Sequence, residues 1–216
     1  MNCIFRKIIE NRSGVAALEF ALVSPILFVF TLYGLELANL ASVHLRVSQV
    51  VNMTADNAAR IHDRIDEVDI NELFAGSRIA SGNVNVTGHG RILLSVVEDN
   101  VATAGDTTDQ VVTWQRCKGT KVPASTYANE GEVLTTGIGP VGSQISATSA
   151  NPIIFAEVFY DYQPIIPLFF TSALVSNHTI RYAAAYTVRD RTIQAMQNGS
   201  NLAAGSQSLC STYSAT

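Results

Sequence analysis

At 216 residues the chain has room for one anchor and one domain of ordinary size, and its 18 acidic against 14 basic side chains give a net charge of −4. No stretch is strongly basic, which argues against nucleic acid as a partner. Apolar residues make up 47 % of the chain, and they are concentrated unevenly, with one long run near the N-terminus.

The first 14 residues, MNCIFRKIIENRSG, set Arg6, Lys7 and Arg12 against the single Glu10. The run that follows, residues 15–41, is almost unbroken apolar sequence with Glu19 near its start. As a helix, this run would extend roughly 40 Å at about 1.5 Å per residue, whereas a bilayer core needs only about 20 residues. The fully uncharged part, residues 20–35, is slightly short, so a span draws in either Glu19 or Glu36, and an ionisable group at that depth is costly. Arg46 and Arg60 are the first positive charges downstream, so the Lys/Arg excess places the N-terminus in the cytoplasm and the rest outside. A secretory signal peptide has a shorter apolar core and a small-residue cleavage site. Here the run is long and passes into an amphipathic stretch, which favours retention in the membrane. Pro25 frees the carbonyl of Ala21 within the helix. That is either a site of local bending or a harmless kink. Gly34 and Ala38 form a weak small-x-x-x-small pair.

The residues Gly14-Val15-Ala16-Ala17-Leu18-Glu19-Phe20 resemble the processing site of the Flp/Tad branch of type IV pilins: a Gly, four small or apolar residues, then Glu and an aromatic. With its basic leader, apolar helix and Ala/Asn/Asp-rich continuation to about Ala59, the N-terminal region is similar to the TadE family of minor pseudopilins. The resemblance implies cleavage after Gly14 by an inner-membrane prepilin peptidase. It implies other Tad pilins and pseudopilins as partners, a single pass through the bacterial inner membrane with the C-terminal domain in the periplasm, and transfer to a pilus after processing. A major pilin of such a system is very short, so the extra domain here points to a minor component. Cleavage would leave an ammonium at Val15, and Val15 and Glu19, at i and i+4, share a helix face. Glu19 then pairs with that amine, its own or a neighbour's, or else sits solvated among headgroups. Phe20 belongs to the same assembly signature.

Loss of residues 1–14 removes Arg6, Lys7, Arg12 and Glu10 and leaves 11 basic and 17 acidic groups, net −6. It also removes Cys3. Cys117 and Cys210 remain on the exported side, where disulfides persist, and are either bonded or two separate thiols.

Val43, Val47, Val50, Thr54, Ala58, Ile61, Ile65 and Val68 step by threes and fours, opposite Arg46, Gln49, Asn52, Asp56, Arg60, Asp63 and Arg64. This predicts one helix from Val15 to about Asp66, its second half packed on a head. A short helix over 70–80, capped by Asp69 or Asn71, follows, with Asp66, Glu67 and Asp69 read as a solvated helix end. Residues 84–86 and 91–98 around Gly88-His89-Gly90 suggest a hairpin. Residues 110–118, 153–162 and 179–188 are further strands, and Trp114 is a core residue. Glu157 inside a strand is edge-facing or paired. Residues 119–152, rich in Gly, Thr and Ser, read as an exposed loop, and residues 164–170, PIIPLFF, as an apolar segment that packs under the head or touches the membrane face. The expected fold is α+β, a long N-terminal helix packed on an antiparallel sheet in the manner of a pilin. The expected organisation is leader 1–14, transmembrane helix 15–41, amphipathic helix 42–68, periplasmic head 69–192 and a tail 193–216 that only Cys210 would hold.

The four histidines, His44, His62, His89 and His178, are scattered, with no H-x-x-x-H or C-x-x-C spacing for a metal and no G-x-S-x-G elbow. The sequence therefore predicts a non-enzyme without metal, cofactor or small-molecule substrate. Two main readings stand: a cleaved minor pseudopilin of Tad pilus assembly, or an uncleaved single-pass inner-membrane scaffold of a secretion system. A membrane-tethered enzyme with a dispersed site is a third.

Overall fold

The computed structural model describes residues 14–100, 109–166, 178–189 and 191–215. The leader residues 1–13, most of the 99–109 loop and the end of the PIIPLFF segment lie outside these. The chain divides into two units, Met1–Ala41 with Gln163–Ser176, and Ser42–Tyr162 with Asn177–Thr216.

Helix α1 runs from Val15 to Ala59. In its second half Val43, Val47, Val50, Val51, Thr54, Ala55, Ala58 and Ala59 are buried while Arg46, Gln49 and Asn52 are exposed, which is the stripe read from the sequence. Its end is earlier than expected. The carbonyl of Ala59 accepts the backbone N–H of Arg189 at 3.0 Å, and the Arg191 guanidinium donates to the carbonyls of Ala58 and Ile61, the latter at 3.3 Å. A buried cation at the last carbonyls of a 45-residue helix matches the sign of the helix dipole. Burial pushes Arg191 down to about 10, so the charge persists at neutral pH. Asp63 then takes φ 57°, a left-handed value that Asp tolerates, and the chain leaves as a short strand β1, Asp63–Asp66. Ile65 stays buried, but from a strand. The apolar spacing of Ile61, Ile65 and Val68 continued the helical period by coincidence.

Helix α2, Glu67–Ser81, starts three residues before the expected span. Asp66 is its N-cap: the Asp66 carboxylate accepts Val68 N–H at 3.1 Å and Asp69 accepts Asp66 N–H at 2.9 Å, a reciprocal capping box. The acidic cluster is thus a cap, not a solvated end. Between α2 and the sheet, residues 84–86 form turns instead of a strand. The Asn85 side chain accepts Gly88 N–H at 3.0 Å and its carbonyl accepts His89 N–H at 3.0 Å, so local Asn chemistry displaces the ladder. Gly90 is required by packing, since a Cβ there would lie 2.2 Å from the Phe159 carbonyl oxygen.

The five-stranded antiparallel sheet comprises β2 (Gly90–Asp99), β3 (Gln110–Gly119), β4 (Val133–Leu134), β5 (Ile153–Asp161) and β6 (Thr179–Thr187), in the order β4-β3-β2-β5-β6. A seventh strand, β7 (Arg191–Gln197), pairs in parallel with β1. The α+β expectation, a long helix on an antiparallel sheet, is borne out. On the helix side stand Ile92, Leu94, Val96, Ile154, Ala156, Val158 and Ile180, all buried. Trp114 lies on this side too, 2 % exposed, its indole N–H donating to Gln194 O at 2.9 Å.

The other side is closed by the 120–152 segment, which was expected to be an exposed loop. It supplies Ala128, Ile138 and Ala147 to a core with Val97, Val112, Ile153 and Phe155. A cover whose strand is only the two-residue β4 must bond much of its backbone to side chains. Gln110 accepts Ala147 N–H at 2.7 Å, Gln115 donates to Ala128 O at 3.1 Å, and Glu157 accepts the Ser125 hydroxyl and Thr126 N–H. Glu157, in a central strand, is thus paired and buried. Burial raises its pKa above the ordinary carboxylate value, against the opposing hydrogen bonds from Ser125 and Thr126. A carboxylate with a raised folded pKa stabilises most when protonated, so its contribution is complete below its unfolded value and is lost as pH rises through the folded one. Glu157→Gln should therefore flatten the pH dependence. The wild type should gain stability relative to the variant as pH falls from neutral toward 4.5, read from urea midpoints at each pH. A difference between the two proteins that is constant with pH would count against this assignment.

The stretch after Thr192 is not a loose tail. It forms β7 and then runs along β3: Cys117 N–H donates to Ser208 O at 2.8 Å, Gly119 N–H to Ser214 O at 2.9 Å, and Cys117 and Cys210 are joined by a disulfide.

Candidate assembly surface on the apolar helix

The sequence-derived residues Gly14, Val15, Glu19 and Phe20 fall together at the start of α1. Gly14 precedes the first helical residue, Val15, and a Cβ at Gly14 would meet no described atom within 4 Å. Val15 and Glu19 are one turn apart in the observed helix, and the first turn holds no acid, so Glu19 is the first carboxylate within the helix. Glu19 is exposed, and Phe20 is 72 % exposed. Cys117 and Cys210 lie in the head and take no part in this surface.

From Val15 to Leu37 most of the large apolar side chains are exposed, among them Leu22, Val23, Ile26, Leu27, Phe28 and Phe30, while Leu32 and Tyr33 are half-buried. A soluble helix buries one stripe and wets the other; among the described residues this one exposes large apolar side chains around most of its circumference up to Leu35, which suits lipid or neighbouring helices. Pro25 sits inside the helix. Thr31 Oγ1 donates to Leu27 O at 2.8 Å, keeping its hydroxyl satisfied within the apolar run.

The two carboxylates that bound the uncharged run differ. Glu36 is 1 % exposed and its Oε2 accepts Ile166 N–H at 3.0 Å, so the chain itself satisfies it. Glu19 is left to face whatever surrounds the helix. Sequence alone could not separate the two, because the partner of Glu36 is 130 residues away.

Beyond this run, His44 bonds the Tyr182 hydroxyl at 3.1 Å and its ring lies 6.0 Å from that of His178. Burial, and then the neighbouring imidazole, holds His44 below the ordinary histidine range. Among the described residues no group of three His, Cys, Asp or Glu side chains is placed to hold a metal ion.

One helix among the described residues, Val15–Ala59, is long and apolar enough to cross a membrane, with a mean hydropathy of 2.2 over its best window and none of that window buried. Together with an α+β head, this is the build of a single-pass membrane protein. Residues 14–60 match the family of TadE-like proteins, a range that begins at Gly14 and ends one residue past α1. The TadE-like segment supports involvement of the chain in Tad pilus-related systems. No curated protein and no solved structure matches the chain.

Proposed function

We propose that the chain is a minor pseudopilin, a structural and non-enzymatic subunit of Tad pilus assembly. It is stored in the inner membrane with its N-terminus in the cytoplasm and its head in the periplasm. Prepilin peptidase cuts after Gly14. The trimmed helix then passes from lipid into a bundle of other Tad pilins and pseudopilins. One observation carries this reading: within the TadE-like segment an uncovered apolar helix bears an exposed carboxylate, Glu19, one turn after Val15. An unpaired carboxylate costs about 2.5–3.5 kcal/mol at mid-membrane by insertion scales. An ammonium at Val15, on the same chain or a neighbour, removes that cost and sets the register of helix packing.

Intact mass of the membrane-extracted protein tests the first step. The native chain should lack residues 1–14, and Gly14→Ala should retain them. Glu19→Ala should be trimmed like the wild type yet assemble poorly, with pili reduced about tenfold or more, the factor that about 1.4 kcal/mol of lost pairing produces. A native chain that keeps Met1 while pili form normally would replace this reading with the uncleaved scaffold.

A further inference from the structure

The two edges of the five-stranded sheet are treated differently. Along β3 the outer edge is occupied at both ends: β4 pairs with Gln110 and Val111, and the C-terminal stretch takes the amides of Cys117 and Gly119. Along β6 no strand or bridge among the described residues covers the outer edge. Tyr162 N–H donates to His178 O, and Val188 N–H donates to Pro152 O. These bonds lie in the same register as the β5–β6 ladder and fix its parity: the even residues Ile180, Tyr182, Ala184 and Tyr186 bond inward to β5. The amides and carbonyls of Thr179, Arg181, Ala183, Ala185 and Thr187 therefore point outward. β6 is nine residues long, about 30 Å, and pairs with β5 without a bulge. It contains no Pro and no Lys, the usual guards of a sheet edge. Its one charged side chain, Arg181, is laid over the Phe159 ring with its guanidinium carbon 5.3 Å from the centroid.

A groove of about 300 Å³ runs beside this edge, lined by Ile138, Ile145, Phe155, Ala183 and Ala185, with Arg181 in its wall. Small side chains at Ala183 and Ala185 leave room for side chains arriving from a strand added at the edge. We propose that β6 is a docking edge that takes an extended segment of another polypeptide as a sixth strand. The recognised segment is apolar at every second position, to fill the groove, and carries a carboxylate opposite Arg181, the only charge on the strand. Backbone bonds supply the affinity, and the groove and Arg181 supply the selectivity. This inference stands on the head alone and does not require the cleavage or pilus reading.

Amide hydrogen exchange on the full-length protein in detergent tests it, with a capped nine-residue peptide of alternating valine and threonine bearing one central glutamate as the probe. In the free protein the amides of Arg181, Ala183 and Ala185 should exchange fast while the even-numbered amides of β6 are protected. The peptide should slow the odd set about tenfold or more and leave the even set unchanged. Ala183→Pro, which removes an outward N–H and no ladder bond, should abolish the effect with the even amides still protected. Arg181→Glu should shift preference to the lysine analogue of the peptide. Equal slowing by a proline-interrupted peptide, or no slowing at millimolar peptide, would overturn the proposal. So would odd amides already protected in a concentration-dependent way without peptide, since a second copy would then hold the edge.

Discussion

Glu67→Ala should lower the unfolding free energy of the head by about 3 kcal/mol, the low end of the cost of leaving a buried charge without its partner, because half-exposed Glu130, 3.5 Å from Arg116 Nη1, compensates part of the charge. Glu67 is 2 % exposed and Arg116 8 %. The Arg116 Nε lies 2.9 and 3.1 Å from the two Glu67 oxygens, a forked geometry that fixes the first turn of α2 against the centre of β3. Arg116 also donates to Gln115 O at 2.8 Å, which helps to hold the guanidinium in place when the Glu67 carboxylate is removed. Trp114, two residues along the same strand, offers a fluorescence probe, and urea unfolding of the detergent-solubilised chain gives the measurement. The paired replacement Glu67→Met with Arg116→Met should recover most of the loss, because an apolar pair of similar volume needs no desolvation of charge. If the double variant were as unstable as the sum of the two singles, the pair would be acting through something other than the mutual satisfaction of two buried charges.

This ion pair also marks where local sequence reading stops. Elements that carry their own signal were legible: the apolar run, the stripe at Val43, Val47 and Val50, and the β-rich runs that became β3, β5 and β6. The TadE-like character of the N-terminal region was legible because Gly14, Glu19 and Phe20 fall in one short window. What failed depends on residues far apart. The end of α1 at Ala59 is set by Arg189 and Arg191, some 130 residues on, and nothing near Ala59 announces it. Asp66, Glu67 and Asp69 look like a solvated acidic cluster until Arg116 is brought to Glu67. Residues 120–152 look like open loop because their polar backbone is satisfied by Gln110, Gln115 and Glu157, buried polar residues that a strand pattern gives no reason to expect. The open edge of β6 is likewise invisible in TIRYAAAYT, since an edge is a property of strand order.

Cys210→Ser should destabilise the head by about 4 kcal/mol, since the Cys117–Cys210 bond closes a loop with a sequence separation of 93 in the unfolded chain. The loss should be larger than for a disulfide that tethers an already independent element. The C-terminal stretch holds few apolar side chains and depends on the bond to present its backbone to β3. Cys210 O accepts from the Arg91 guanidinium, and Tyr213 lies 4.3 Å beneath the same cation. Arg91 is 1 % exposed, and burial holds its pKa below the ordinary guanidinium range while the Tyr213 contact opposes that shift. Freeing the tail would strip this buried cation of a carbonyl and a ring face together. Limited proteolysis should then cut the variant after residue 198 under conditions that leave the oxidised protein intact, and reduction of the wild type should reproduce the cut. Arg91→Met should soften the effect of Cys210→Ser, because the charge that the tail covers would be gone. If Cys210→Ser unfolded at the wild-type urea midpoint with its tail still resistant, the backbone bonds from Cys117 and Gly119 would suffice to hold that stretch, and the disulfide would contribute only to the rate of its release.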